Sequence, residues 1–264
     1  MRGFISGIIE KAAQSKPADT YRSSRIGASV IDSKCEAFLA LTLRGFPDNK
    51  VEPRIKRIFR DGHSYERTIL KDLHAAGITV YEKDPMTGKQ YMWSDLDGHF
   101  VYYADGIIEM SGRSALLEIK SMNSENFEKF KDKGVFVSHP KYYSQLQTGM
   151  GLSNFESAII IAYNKDNSDY WDEVVKADPV SFAALKHRAT RAVVGDKKRI
   201  STDAHNWLCR FCNKSDSCWG FVEPEKDIRT CANSYMTKDG WKCTKGCSGT
   251  VCTQWEKFKP EPAV

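Results

Sequence analysis

Two acids and a lysine stand close together between residues 99 and 121 of this 264-residue chain. Asp105 lies in the apolar run His99–Met110, and Glu118 and Lys120 lie in the apolar run Ala115–Ser121. Between the runs, Ser111, Gly112, Arg113 and Ser114 form a turn signal, so the segment is expected to be a β-hairpin. A tight turn at Ser111–Gly112 sets Asp105 opposite Glu118, whereas a turn one residue later sets Asp105 opposite Lys120. Side chains alternate along a strand, so Glu118 and Lys120 share a face in either register. Neighbouring carboxylates repel, and strands disfavour Asp. A hard divalent cation such as Mg²⁺ removes that repulsion by taking carboxylate oxygens while keeping several waters. It also acidifies a bound water that a nearby lysine can orient or deprotonate, which is chemistry that hydrolyses phosphodiesters. The tripeptide acid-x-Lys also occurs at Asp32, Asp48 and Asp196, so a plain cross-strand Glu–Lys pair is the competing reading.

The elements that must position these groups follow from periodicity and punctuation. Residues 3–15 place Phe4, Ile5, Ile8, Ile9, Ala12 and Ala13 on one stripe, as an amphipathic helix does. A polar loop over 16–26 precedes a helix expected over 28–43, stopped by Gly45 and Pro47, with Cys35 inside it. The next helix is expected over 53–76 and ended by Gly77; it carries Arg54, Lys56, Arg57 and Arg60, whose charges could touch phosphates or simply be solvated. Strands are expected at 78–82 and 91–94, the latter turned by Asp95–Gly98 into the central hairpin. A polar, helix-prone stretch over 121–135 leads to a helix opened by Pro140, then to a buried strand at 158–163 and a partner at 170–175. The helix over 180–194 bears Lys186, His187, Arg188 and Arg191, the strongest basic run, for which contact with DNA competes with a solvated helix end.

The length allows one substantial core with a small appendage. A net charge of +5 permits an acidic partner without demanding one. No apolar run approaches a membrane span and the first residues are too short for a signal peptide, so a cytoplasmic setting is expected, without a membrane partner. Of the eight cysteines, Cys35 stands alone and the others lie between 209 and 252, a distribution that suits metal better than disulfides. By spacing, Cys209, Cys212 and Cys218 suit zinc or an iron–sulfur cluster, zinc being the simpler choice with His205 or Cys231 as fourth ligand. Cys231, Cys243, Cys247 and Cys252 lie in a Gly-rich, polar tail that apolar burial cannot hold together, so Zn²⁺ is expected there, with free thiols as the alternative.

Asp105 followed by Glu118-Ile119-Lys120 resembles the PD-(D/E)XK nuclease signature, with Ala104 where the family usually has proline. Gly62 followed by Glu66 resembles that family's first motif, with His63 a rival to Glu66. The run Tyr142–Gln147 looks like the glutamine motif of RecB-type and phage exonucleases, although Gly149 stands where some relatives carry a tyrosine. One cysteine before the core and a C-x2-C-x5-C set after it looks like the iron–sulfur staple of AddB-type and CRISPR-associated RecB-like nucleases.

The resemblance implies an α/β, restriction-endonuclease-like αβββαβ core with a mixed central sheet, flanking helices and a small cysteine-rich C-terminal appendage. It implies a nuclease domain over 1–220, with its core at about 53–176, and a tail over 221–264. Asp105, Glu118, the Ile119 carbonyl and Glu66 would hold Mg²⁺ or Mn²⁺, Lys120 would handle the attacking water, and Gln145 would orient it or the phosphate. Cys35, Cys209, Cys212 and Cys218 would hold a [4Fe-4S] cluster of structural role. Arg57, Arg60, Tyr143, Lys186, Arg188 and Arg191 are the residues expected to touch DNA. The expected activity is exonucleolytic, on duplex ends or single strands, in recombination, repair or phage DNA processing, with recombination or replication proteins as partners. A phage-encoded member would work in the host cytoplasm. A nucleic-acid-binding or interaction protein stapled by zinc is the non-enzymatic alternative.

Overall fold

The computed structural model describes residues 4–14, 24–110, 112–247 and 252–263. Its elements run α1 (Phe4–Gln14), β1 (Ile26–Gly27), α2 (Glu36–Leu43), α3 (Pro53–Ala75), β2 (Thr79–Tyr81), β3 (Met92–Asp95), β4 (Phe100–Tyr103), β5 (Gly106–Met110) and β6 (Arg113–Met122). They continue through α4 (Ser124–Ser138), α5 (Pro140–Ser153), β7 (Ser157–Asn164), β8 (Tyr170–Lys176), α6 (Pro179–Val194), α7 (Trp207–Arg210), α8 (Ser215–Trp219), β9 (Ser234–Thr237) and β10 (Gly240–Cys243). None of the described helices is long and apolar enough to cross a membrane.

The main sheet has the order β2-β5-β6-β7-β8. β6 pairs antiparallel with β5 and parallel with β7, and β7 pairs antiparallel with β8, so the sheet is mixed. The parallel β6–β7 pair needs a crossover, which α4 and α5 supply. With α3 packed on the other face, α3, β2, β5, β6, α4–α5, β7 is the αβββαβ core that was expected. The fold is therefore α/β, with helices on both faces of a mixed sheet and the cysteines concentrated toward the C-terminus.

Alternation along β6 divides the core. Leu116 and Met122 point into a cluster with Phe127, Phe130, Leu146 and Met150 of α4 and α5. Leu117 and Ile119 point the other way, toward Ile69, Leu70 and Leu73 of α3. Glu118 thus belongs to the α5 face and is carried into the core, where it is 1% exposed. Helix ends follow their signals. Pro53 opens α3, and Gly77 follows it at φ +76. Asn123 caps α4, and Asp178 caps α6 through the N–H groups of Val180 and Ser181.

Three local features differ from the sequence reading. α2 starts only at Glu36, with Cys35 at its N-cap, because Ile26–Gly27 instead pairs in parallel with Phe100–Val101 and turns follow. The first arm of the central hairpin is broken at Ala104–Asp105: β4 joins β1 and β3 in a separate three-stranded sheet, and only β5 continues into the main one. The apolar stripe of α1 is not buried, since Ile5, Ile8 and Ile9 are exposed. An Arg57–Glu10 ion pair joins this helix to α3.

Two helical glycines should respond in opposite directions to alanine. On α5, a methyl at Gly151 would fall inside the Phe182 ring of α6, so Gly151→Ala is expected to destabilise by about 1–3 kcal/mol. On α3, a methyl at Gly62 meets nothing within 4 Å, so Gly62→Ala is expected to stabilise by up to about 1 kcal/mol. Denaturant unfolding of the two variants measures both, and a stabilised Gly151→Ala would contradict the close α5–α6 packing.

Candidate active site

The register of the central hairpin decides which side chains meet. Gly106 pairs with Leu117 and Met110 with Arg113, so the turn falls at residues 111 and 112 and Asp105 comes opposite Glu118. Of the turn, Ser111 lies outside the described residues, and Gly112 has φ +74. At the break between the two sheets, the Asp105 backbone N–H donates to the Leu117 carbonyl at 3.2 Å. The Ile119 N–H donates to Asp105 Oδ2 at 2.8 Å, which clamps the carboxylate beside β6.

Three side chains converge on Glu118, and a fourth stands against Lys120. Lys120 Nζ donates to Glu118 Oε1 at 2.5 Å, as the shared strand face requires. Gln145 Nε2, from α5, donates to the same oxygen at 2.6 Å, and its own Oε1 lies 3.5 Å from Lys120 Nζ. Tyr102 OH, from β4, donates to Glu118 Oε2 at 3.2 Å. Tyr142 places its ring 4.9 Å from Lys120 Nζ, where the negative face attracts the ammonium. Tyr142 in turn stacks on His139 with ring centroids 5.3 Å apart. Glu66 of α3 is close enough for its charge to act on Asp105, and His63 Nδ1 lies 3.6 Å from Glu66 Oε2.

The electrostatics are those of acids crowded without enough counter-charge. Burial first, then the Glu118 charge, push Asp105 up to about 8, against the pull of the Ile119 N–H and Lys120. Burial works to lower Lys120, but the Glu118 carboxylate outweighs it and lifts the ammonium above its ordinary value. Burial and the same carboxylate raise Tyr102 well above its ordinary value. Asp105 and Glu118, with a single ammonium beside them, offer oxygen donors of the kind a hard divalent cation takes.

Tyr102 and Tyr142 are the site residues that motif reading missed. Tyr102 has a signal, though an indirect one. An added Cβ at Gly149 would stand 2.6 Å from the Tyr102 ring, so the glycine makes room for this ring. The phenol thus reaches Glu118 from β4.

The basic side chains expected to touch DNA each have a partner within the chain. Arg57 pairs with Glu10, Arg60 with Asp61 and Lys186 with Asp95. Arg191 pairs with Glu36 and Asp196, and Arg188 donates to the Ser33 carbonyl. Tyr143 packs edge-on against exposed Phe136 at 4.9 Å, and its hydroxyl is 3.5 Å from Asp178 Oδ2.

Cys35, at the start of α2, is brought near Cys209, Cys212 and Cys218, whose thiols act electrostatically on one another. Burial raises all three of the latter, Cys212 up to about 11. The segment carrying them docks on the chain after α2. Asn49 Nδ2 donates to Ser215 Oγ at 2.8 Å, Asp216 N–H donates to Asn49 Oδ1 at 3.0 Å, and Ser217 Oγ donates to the Pro47 carbonyl at 2.7 Å. His205 is exposed. Among the described residues, no three His, Cys, Asp or Glu side chains close around a common point.

No protein-family model matches this chain, and no curated protein does. Among solved structures it is similar to an alkaline exonuclease, LHK-Exo, from Laribacter hongkongensis, at 16% identity and a TM-score of 0.44, over 65% of this chain and 87% of that one. It is similar to SSO0001 at 17% identity and a TM-score of 0.40, over 84% of this chain and 100% of that one. It is also similar to a phage-related exonuclease from Haemophilus somnus 129PT at 13% identity and a TM-score of 0.39, over 65% of this chain and 92% of that one.

Proposed function

We propose that this chain is a Mg²⁺- or Mn²⁺-dependent DNA nuclease, acting as an exonuclease on duplex ends or single strands in recombination, repair or phage DNA processing. The observation that carries the reading is the convergence of Asp105, Lys120 and Gln145 on the buried Glu118 carboxylate. Asp105, Glu118 and the Ile119 carbonyl would hold the ion, with Glu66 assisting from α3. Bound there, the ion would neutralise a scissile phosphate and acidify the attacking water.

The chain's own groups do the rest. Lys120, held as an ammonium, would donate to the attacking water or to a phosphate oxygen, and Tyr142 keeps it over the ring face. Gln145 fixes the Glu118 carboxylate and keeps Lys120 within reach. Tyr102 shields Glu118 from bulk water and fixes the orientation of its second oxygen. Cys35, Cys209, Cys212 and Cys218 fit a [4Fe-4S] cluster, since the set is all thiol and joins the two ends of the nuclease domain. Its role would be to close that long loop, because four protein ligands leave no open position for chemistry.

Replacing Lys120 tests the catalytic assignment. On 5′- and 3′-protected DNA with Mn²⁺, Lys120→Ala is expected to cleave at least about a hundredfold more slowly than wild type. A wild-type chain that cuts neither single- nor double-stranded DNA, or a Lys120→Ala variant with undiminished activity, would contradict the reading.

Crowding at Asp105 also has a thermodynamic signature in protein stripped of divalent ions. Its carboxyl is raised from 3.8 to about 8 on folding. The folded chain therefore holds a proton that the unfolded chain has lost, so this group's stabilisation is complete in acid and is lost as pH rises to about 8. The chelated protein should melt at a lower temperature at about pH 8.5 than at about pH 6, and Asp105→Asn should flatten that fall. Identical pH slopes for wild type and Asp105→Asn would show that Asp105 carries no such shift.

A further inference from the structure

We propose that Cys231, Cys243, Cys247 and Cys252 bind a structural Zn²⁺ ion that orders the C-terminal segment against α2. This site is independent of the nuclease reading. The four cysteines come from separate turns and strands, yet all line one cavity of about 10 Å³, together with Asp227 and Trp255. That volume suits one ion- or water-sized sphere and nothing larger. Cys231 is buried and bridges to Lys257, and Cys243 ends β10. Gly246, at φ +73, turns the chain ahead of Cys247, whose backbone N–H donates to the Cys243 sulfur. The Lys245 N–H points at the Cys243 sulfur from 3.4 Å. Two backbone donors aimed at one sulfur favour its anionic form, the form that binds metal. Cys247 and Cys252 touch, thiol to thiol, at 2.8 Å, and none of the eight cysteines is joined in a disulfide.

The ligand set selects the ion. Asp227, the carboxylate in the cavity, is committed elsewhere: its oxygens accept from the Arg229 backbone N–H at 2.7 Å and from the Arg229 guanidinium at 3.0 Å. Four sulfurs with no oxygen ligand suit a tetrahedral Zn²⁺ with no open position. Binding is a proton exchange in which four thiols release four protons to solvent and Zn²⁺ takes the four thiolates; no oxidant or reductant is needed.

The segment has reason to need such a tie. Among its described residues the only sheet is β9–β10, two strands of four residues each, and the buried apolar residues include little beyond Cys231 and Phe258. A hairpin of that size is marginal by itself. What it offers in return is a receptor for Arg44, the residue after α2. Arg44 Nη1 donates to the Arg229 and Cys231 carbonyls, both at 2.9 Å, and Nη2 donates to the Ser234 carbonyl at 3.0 Å. The guanidinium lies 3.9 Å from the Phe258 ring and 5.0 Å from the Trp241 ring. Ordering Cys231 therefore orders the acceptors of a buried cation on the nuclease side.

Elemental analysis of the full chain, purified under reducing conditions, tests the assignment. About one zinc per chain is expected in wild type, and its loss in Cys247→Ser and in Cys252→Ser. Zinc should be retained in Cys212→Ser, which touches only the other thiol set. If the serine variants fail to fold, wild type carries the test: Co²⁺ exchanged into it should give the visible bands of a tetrahedral cobalt thiolate, and Zn²⁺ should erase them. Wild type without zinc, zinc lost from Cys212→Ser but kept in Cys247→Ser, or iron in place of zinc at these four cysteines would each overturn the proposal.

Discussion

Like-charge repulsion between Asp105 and Glu118 is the constraint around which the rest of the structure is arranged. The two carboxylates face each other across a hairpin at the point where the chain leaves one sheet and enters another. A buried pair of acids is costly unless each is hydrogen-bonded and their charge is answered. Glu118 is answered by Lys120, Gln145 and Tyr102, which occupy both of its oxygens. Asp105 is held by one backbone N–H and keeps a raised affinity for a proton. In a site of this kind, a hard cation and a proton compete for the same carboxylate.

The supporting elements make sense as ways of delivering groups to that point. β6 is the central strand, and its alternation sends Leu117 and Ile119 to α3 while Glu118 faces α5. α5 contributes Gln145 to the site, yields space to Tyr102 at Gly149, and packs closely on Phe182 at Gly151. Through that last contact the layer carrying Glu118 and Gln145 is joined to α6, which packs with α2 in a second core containing Leu39, Leu43, Ala189 and Ala192. The two thiol sets flank α2: Cys35 stands at its N-cap, and Arg44, just past its other end, reaches into the segment of Cys231. The helix is thus tied at both ends by parts of the chain remote in sequence.

Much of this was legible in the residues. The hairpin followed from the Gly112 turn, which left two registers open until strand pairing chose the one with Asp105 opposite Glu118, and the face shared by Glu118 and Lys120 followed from strand geometry alone. The order of helices and strands followed from punctuation by Pro53, Gly77 and Pro140. The break at Ala104–Asp105 was hidden because Phe100–Tyr103 and Gly106–Met110 are both short apolar runs, and only pairing partners distinguish them. A two-residue strand such as Ile26–Gly27 has no periodicity to read, so its neighbours were absorbed into α2. Tyr102 looked like core because an aromatic residue in an apolar strand carries no mark of what its hydroxyl meets. Some ion pairs, such as Arg60–Asp61 and Arg191–Asp196, were close enough in sequence to foresee; Lys186–Asp95 was set by tertiary packing alone.

Metal affinity at the paired acids is the quantity on which the account stands. Calorimetric titration of Mn²⁺ into the chelated chain measures it without requiring turnover or DNA. The account predicts a binding event that is abolished in Glu118→Gln and remains in Lys120→Ala, since the lysine is not a ligand. Absence of binding to the wild-type chain, or equal binding by Glu118→Gln, would contradict it.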